Sequence, residues 1–153
     1  MSTNATYEAL RALKLDGMAD VFAELAAQTA NSPQDPTQWV AHMVAREKSI
    51  RDAKRLQSRL RAARLREPEA TMDKVDYMAE RTLDRAAFEV LRGTAWIETH
   101  RTVLMSGPCG VGKSFLACAL GHEACKLDKS VMYFRMPQLF AELASAKQGG
   151  TYD

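Results

Sequence analysis

The sequence lacks the features that mark membrane, secreted and metal-stabilised small proteins. It contains no apolar run long enough to span a bilayer, and its first ten residues contain no run of signal-peptide length. Its three cysteines, Cys109, Cys118 and Cys125, form no C-x-x-C pair and have no histidine at zinc-finger spacing. We therefore expect a cytoplasmic protein without a disulfide framework, a structural metal site or a membrane partner.

The composition is that of an ordinary folded protein. The chain has 153 residues, of which 46% are hydrophobic and 26% are charged, far from the composition of disordered proteins. This length suits one domain, or a helical module joined to part of a larger domain. Apolar residues at helical spacing predict a hairpin of two short helices, over residues 7–15 and 18–30, with a break at Asp16 and Gly17.

Positive charge is concentrated in residues 46–66. That segment has nine basic residues and two acidic ones, a local excess of seven positive charges, whereas the whole chain has a net charge of +2. The segment belongs to a helix predicted over residues 37–66, which has no glycine or proline, and one side of that helix collects much of the charge. The members of this basic face are Lys48, Arg51, Arg55, Arg59 and Arg66.

The basic face has two interpretations. Such a face could neutralise the phosphates of double-stranded DNA, which would give salt-dependent binding without sequence preference. It could equally be a solvated surface or a contact for an acidic protein, because charged helix faces are common and intrahelical pairs such as Glu47 with Arg51 are possible. No aromatic residues alternate with the basic ones to stack on bases.

The second half of the chain alternates between β-favouring and helical segments. A helix is predicted over residues 83–100, followed by a short apolar strand at 102–105, a helix at 114–126, a strand at 130–135 and a helix at 136–147. This order predicts an α/β fold, in which a parallel sheet is covered by helices. The predicted division is a helical module in residues 1–81 and part of a nucleotide-binding domain in residues 82–153.

The first predicted strand leads into a segment that satisfies G-x-x-x-x-G-K-[ST], the Walker A pattern. Glycines let backbone N–H groups approach nucleotide phosphates closely, the lysine reaches the terminal phosphates, and the hydroxyl of Ser114 is the predicted Mg²⁺ ligand. A chance turn between a strand and a helix is the alternative, and the flanking strand and helix favour ATP binding instead. This glycine loop consists of Gly107, Pro108, Cys109, Gly110, Val111, Gly112, Lys113 and Ser114.

Together these segments resemble the IstB-like AAA+ ATP-binding proteins, helpers of insertion-sequence transposases that are related to the DnaC helicase loader. The resemblance rests on residues 13–19, 61–65, 83–85, 96–98 and 104–114, in the family's order. It implies an AAA+ core, ATP with Mg²⁺, binding to double-stranded DNA, assembly into homo-oligomers of the full-length form, and contact with a transposase.

The sequence departs from the family pattern in two ways. Cys109 and Ser114 stand where proline and threonine are more common, although serine can also ligate Mg²⁺. No apolar strand ending in Asp-Glu follows Arg135, so a Walker B motif is missing, and neither Glu142 nor Asp128 is a credible substitute. We therefore expect the front portion of such a protein, which binds ATP and has little or no ATPase activity alone.

Three alternatives have different consequences. A helicase-loader relative would contact a replicative helicase instead of a transposase. A non-catalytic remnant would act only as an interaction module. A small-molecule kinase fits poorly, because such enzymes commonly place the loop near the N-terminus, whereas about a hundred residues precede it here.

Overall fold

The computed structural model describes residues 3–28, 35–78, 83–93 and 95–150, and the chain divides into two compact units, Met1–Gln57 and Ser58–Asp153. The predicted boundary between residues 81 and 82 lies outside the described residues. No helix in the described part is both long and apolar enough to cross a membrane. The α-helices are α1 (Thr3–Ala12), α2 (Asp16–Gln28), α3 (Pro36–Ala63), α4 (Arg85–Val90), α5 (Ala95–Glu98), α6 (Lys113–Lys126) and α7 (Met136–Gln148), and Met72–Lys74 form a 3₁₀ turn.

The first unit contains the predicted helical hairpin, α1 and α2, with a different turn from the one expected. Lys14 has a φ of 58°, and the N–H groups of Lys14 and Leu15 donate to the carbonyls of Arg11 and Leu10, both at 2.9 Å. This hydrogen-bond pattern closes the C-terminal end of a helix. The predicted break at Asp16 and Gly17 is therefore wrong by a few residues, since α2 already begins at Asp16.

The start of α2 is held against α3 by one carboxylate. Glu47 is buried, and its Oε2 accepts hydrogen bonds from the backbone N–H groups of Gly17 (2.8 Å) and Met18 (3.4 Å). Its Oε1 lies 2.7 Å from Nε of Arg51. The Arg51 hydrogen bond, with the two backbone donors, holds the pKa of Glu47 below its ordinary value. An ionised glutamate thus satisfies N–H groups that lack acceptors within α2.

The core of the second unit is built around α6. Leu116, Cys118, Ala119 and Leu120 are buried, and they join a cluster with Phe88 of α4. The connector after α3 supplies the rest of the buried cluster, namely Ala70, Met72 and Val75. Because α6 begins at Lys113, within the glycine loop, this packing fixes where the loop lies in the second unit.

The residues at and just after the end of α3 approach α6 and the segment that follows α6. A Cβ on Gly121 of α6 would lie 3.1 Å from Leu65 Cδ2 and 3.3 Å from Val131 Cγ1. The N–H of Tyr133 donates to the carbonyl of Ala63 at 2.9 Å. Glycine at position 121 therefore permits these three parts of the unit to pack closely.

The predicted α/β fold with a parallel sheet is wrong for this structure, because residues 3–28, 35–78, 83–93 and 95–150 form no β-strand. Residues 102–105 and 130–135 form no strand ladder, and each turns one side toward the core, through Met105 and Tyr133. The other side is open, with Leu104 90% and Met132 68% exposed. β-favouring composition describes a segment that suits a half-buried pleated surface, whereas a strand also needs a hydrogen-bonded neighbour.

The helix predicted over residues 83–100 is also wrong as one continuous element. It is divided into α4 and α5 by a turn that contains Gly93, and glycine is unfavourable inside a helix. The helices predicted over 37–66, 114–126 and 136–147 are confirmed as α3, α6 and α7 within a few residues at each end.

Candidate nucleotide-binding site

The glycine loop adopts backbone conformations that its sequence allows. Gly107, Gly110 and Gly112 have φ values of 145°, 85° and 87°, in the region that residues with a Cβ rarely adopt. Gly112 directly precedes α6, and its carbonyl accepts the first hydrogen bond of that helix from Leu116 N–H at 3.0 Å. Substituting any of these glycines would strain the loop, so each has a conformational role.

Lys113 and Ser114 lie in the first turn of α6, where both are half-buried. The Lys113 ammonium folds back over the loop and donates to the carbonyls of Gly107, at 2.9 Å, and Pro108. The first N–H groups of a helix have no acceptors within it, and the helix dipole places partial positive charge there. The loop thus brings an ammonium, a hydroxyl and a helix N-terminus to one place.

A cavity of about 780 Å³ adjoins the glycine loop within the second unit. Gly107, Pro108 and Lys113 line its loop side. Leu83 and residues of α4 form much of the remaining wall, together with residues 103–106. Cavities that bind small molecules commonly combine apolar walls with a few polar groups in this way.

The α4 wall is the part of the site that sequence reasoning missed. Asp84 lines the cavity, and its Oδ1 accepts from the N–H groups of Ala86 (2.9 Å) and Ala87 (3.2 Å), which caps α4. An aspartate before a short apolar segment indicates a helix start, but not that the helix faces a loop more than twenty residues further on. Only the tertiary packing brings the two together.

No cluster of three or more His, Cys, Asp and Glu side chains that could hold a metal ion occurs in the described part of the chain. The predicted Mg²⁺ ligand, Ser114, supplies one hydroxyl at the start of α6. In loops of this sequence pattern the ion is shared with the phosphates of the nucleotide, so one protein ligand fits that arrangement. The residues are thus compatible with a magnesium ion that arrives with a nucleotide.

Four of the five residues predicted to contact DNA are paired with carboxylates. Arg51 pairs with the buried carboxylate of Glu47, whereas the carboxylates of the other three pairs are exposed or half-buried. Lys48 is exposed and has no ion pair among the described residues. The other three pairs are Arg55 with Asp52, Arg59 with Asp128, and Arg66 with Glu67 at 3.7 Å.

Other basic residues of the same segment are open to solvent. Arg46, Arg61 and Arg64 are exposed, and they too have no ion pair within the part of the chain that the structure describes. Sequence reasoning counted these three in the charged segment but did not select them. Intrahelical spacing predicts some pairs, yet the pairing of Arg59 with Asp128 spans 69 positions and required the fold.

A glycine loop that opens a helix beside a largely apolar cavity is typical of proteins that bind nucleoside phosphates. The model of the family "IstB-like ATP binding protein" matches residues 8–153. The chain belongs to this family, which confirms the resemblance inferred from its motifs.

Individual relatives agree with the family assignment. An insertion sequence ATP-binding protein of Sinorhizobium fredii, y4pL, is 45% identical over 152 residues, covering 99% of this chain and 62% of that protein. A second protein of the same organism and description, y4uH, is 39% identical over 151 residues, covering 99% and 60%. The ATP-binding protein of insertion sequence IS1162 from Pseudomonas fluorescens is 34% identical over 152 residues, covering 99% and 66%. The chain thus spans about three fifths of the length of these relatives.

Proposed function

We propose that this chain binds ATP with Mg²⁺ through residues 107–114 and acts as a DNA-associated helper of transposition. Its membership of a family of insertion-sequence ATP-binding proteins supports ATP binding and a transposition-related role at the level of the family. The observation that supports the proposed site most strongly is the position of Lys113 beside three left-handed glycines and the cavity.

The contacts of Lys113 suit a phosphate-binding role. Its ammonium donates to two neutral carbonyls of the loop. Phosphate oxygens are anionic and form stronger hydrogen bonds with an ammonium than neutral carbonyls do. The lysine would exchange the carbonyls for the terminal phosphates, and the Ser114 hydroxyl would ligate the accompanying Mg²⁺.

The nucleoside would then lie in the adjoining cavity. With the phosphates at Gly107 and Lys113, the base and sugar extend toward the side formed by Ala87, Phe88 and Leu91. Apolar side chains suit the faces of a base, and a cavity of about 780 Å³ lies within the size range of small-molecule sites.

We propose that this chain binds ATP without hydrolysing it efficiently. Cleavage of a γ-phosphate needs a group that orients the attacking water. The acidic side chains considered from the sequence have other partners, since Asp128 pairs with Arg59 and Glu142 accepts from Gln138 at 3.1 Å. Asp84, which lines the cavity, is engaged in capping α4.

We also propose that α3 contacts double-stranded DNA and that a transposase is the protein partner. The exposed cations of residues 46–64 that have no ion pair among the described residues, together with the family's insertion-sequence context, support this assignment. Assembly into homo-oligomers is proposed for the full-length form.

The experiment that tests the nucleotide site compares two lysines of the same helix. Lys113→Ala should weaken binding of ATP in the presence of Mg²⁺ by roughly 10- to 100-fold, because a hydrogen bond to a charged group is lost. Lys126→Ala, at the other end of α6, should leave the affinity unchanged because Lys126 pairs with Glu123 and does not line the cavity. Calorimetry measures both affinities.

Two results would contradict the proposal. Equal ATP affinity in Lys113→Ala and the unmodified protein would show that the glycine loop does not hold the phosphates. Rapid phosphate release from ATP by the purified chain would show that the hydrolytic groups are present after all.

A further inference from the structure

One side of α4 is attached to the connector formed by residues 72–78. Tyr77 donates a hydrogen bond from its hydroxyl to Oε1 of Glu89 at 2.9 Å, and the guanidinium carbon of Arg85 lies 4.8 Å from the centre of the Tyr77 ring. Burial is the main cause that raises the pKa of Tyr77, so the phenol keeps its proton and donates at neutral pH. Two residues of α4 therefore contact the same tyrosine.

Arg92, in the turn after α4, makes a second attachment to this connector. Its Nη2 lies 3.0 Å from Oδ1 of Asp73, within the 3₁₀ turn. Its buried Nε lies 3.3 Å from Oε2 of Glu89, at ion-pair distance but without hydrogen-bond alignment. We call this group of polar side chains the outer clamp, which consists of Asp73, Tyr77, Arg85, Glu89 and Arg92.

A different side of α4 lines the cavity. Arg85 and Glu89 are four residues apart and share one side of α4, and Arg92 follows in the turn after the helix. Ala87 and Phe88 precede Leu91 by four and three residues, so these three lie on another side, and all three line the cavity. A helix of six residues is too short to be stable alone. Contacts on its two sides must therefore set its position.

We propose that the outer clamp is a set of positioning residues, which hold the cavity wall for the nucleoside and thereby set the affinity for ATP relative to that for inorganic triphosphate. The inference rests on the proposed function, because it requires phosphates at the glycine loop and the nucleoside against α4. None of the five clamp residues lines the cavity. They act through Phe88 and its neighbours instead of touching the nucleotide.

Inorganic tripolyphosphate separates the two parts of the site. It carries the phosphates that the glycine loop would bind but has no base or sugar to contact α4. A displaced wall should weaken ATP binding and leave tripolyphosphate binding unchanged. A general loss of folding would weaken the binding of both ligands together. The ratio of the ATP affinity to the tripolyphosphate affinity therefore distinguishes a positioning effect from a folding effect.

The test uses two variants that retain the packing of the clamp. Tyr77→Phe removes the hydroxyl and keeps the ring, and Asp73→Asn removes the charge that pairs with Arg92. Each should weaken binding of ATP with Mg²⁺ roughly two- to tenfold and change the affinity for tripolyphosphate by less than the error. The matched control is Lys74→Gln, which breaks the exposed pair with Glu69 and leaves the five clamp residues unchanged.

The possible results distinguish this inference from the proposed function. If both variants bind ATP as well as the unmodified chain does, or lose affinity for ATP and tripolyphosphate in proportion, the outer clamp has no positioning role. If the unmodified chain binds neither ligand, the proposed nucleotide site is wrong, and the inference fails with it. Circular dichroism of each variant reports its helical content.

Discussion

At the residue scale, Gly17 lets α2 approach the backbone of α3 closely. A Cβ at this position would lie 2.9 Å from the Cα and N atoms of Glu47 and 2.9 Å from Ile50 Cδ1. Two of these three atoms belong to the backbone of α3 and cannot move as a side chain can. The absence of a side chain at Gly17 is therefore what lets Glu47 reach the start of α2.

Gly17→Ala should destabilise the first unit. The added methyl would push α2 away from α3 and lengthen the hydrogen bonds to the Glu47 carboxylate. We expect a decrease of about 1–3 kcal/mol in the free energy of unfolding, as for other overpacked sites. Thermal or urea unfolding followed by circular dichroism measures it.

Gly93→Ala is the control for Gly17→Ala, because a Cβ at Gly93 would meet no atom of the described residues within 4 Å apart from its chain neighbours. It should change stability little. Equal effects of the two substitutions, or a more stable Gly17→Ala variant, would show that the contact with α3 is not as close as described.

The glycine loop could be predicted from residue types and their spacing alone. The spacing of Gly107, Gly112 and Lys113 identified the loop, because each residue type meets a local requirement that does not depend on distant contacts. The hydrogen bond from Gly17 to Glu47 could not be predicted, because it spans 30 positions and nothing near Gly17 indicates its acceptor.

At the element scale, the charge of α3 is less available than its sequence suggests. Arg51, Arg55 and Arg59 are each paired with a carboxylate, whereas Lys48 and Arg61 are exposed and unpaired among the described residues. A paired arginine must leave its carboxylate before it can neutralise a DNA phosphate. The unpaired residues should therefore contribute more to DNA binding than the paired ones.

Replacing an unpaired cation of α3 should change the salt dependence of DNA binding more than replacing both members of an ion pair. Lys48→Gln or Arg61→Gln should reduce the slope of log Kobs against log salt concentration by about 1, since each removes one phosphate contact. Combining Arg55→Gln with Asp52→Asn removes an ion pair without changing net charge, so it should leave the slope unchanged. Fluorescence anisotropy with a duplex oligonucleotide over a salt series measures these slopes.

An unmodified chain whose affinity for duplex DNA does not depend on salt would refute DNA binding by the charge of α3. A reduced slope only in the Arg55 and Asp52 double variant would assign the contact to the paired residues instead.

Element types were predictable where local pattern determines them. The long run without glycine or proline gave α3, and the apolar residues after Ser114 gave α6. Residues 102–105 and 130–135 have β-favouring composition but form no ladder, because pairing depends on neighbours that composition does not reveal. The α4 wall of the cavity was unpredictable for a similar reason, since packing against α6 through Phe88 brings it to the loop.

At the scale of the whole molecule, the chain combines a helical unit with a unit that carries the glycine loop, and it belongs to a family of ATP-binding proteins. The central claim is that ATP binds at residues 107–114. The three cysteines of the chain provide a probe of that location, because Cys109 is exposed within the loop whereas Cys118 and Cys125 are buried in α6. Reagents that modify thiols should therefore reach Cys109 first.

The most direct test is the rate at which a maleimide modifies Cys109, followed by mass spectrometry of the digested protein with and without ATP and Mg²⁺. ATP at the loop should slow modification of Cys109 at least several-fold, with half-protection at the ATP concentration that half-saturates binding, while Cys118 and Cys125 stay unmodified throughout. An unchanged rate at saturating ATP would contradict the account, because the nucleotide would then bind elsewhere or not at all.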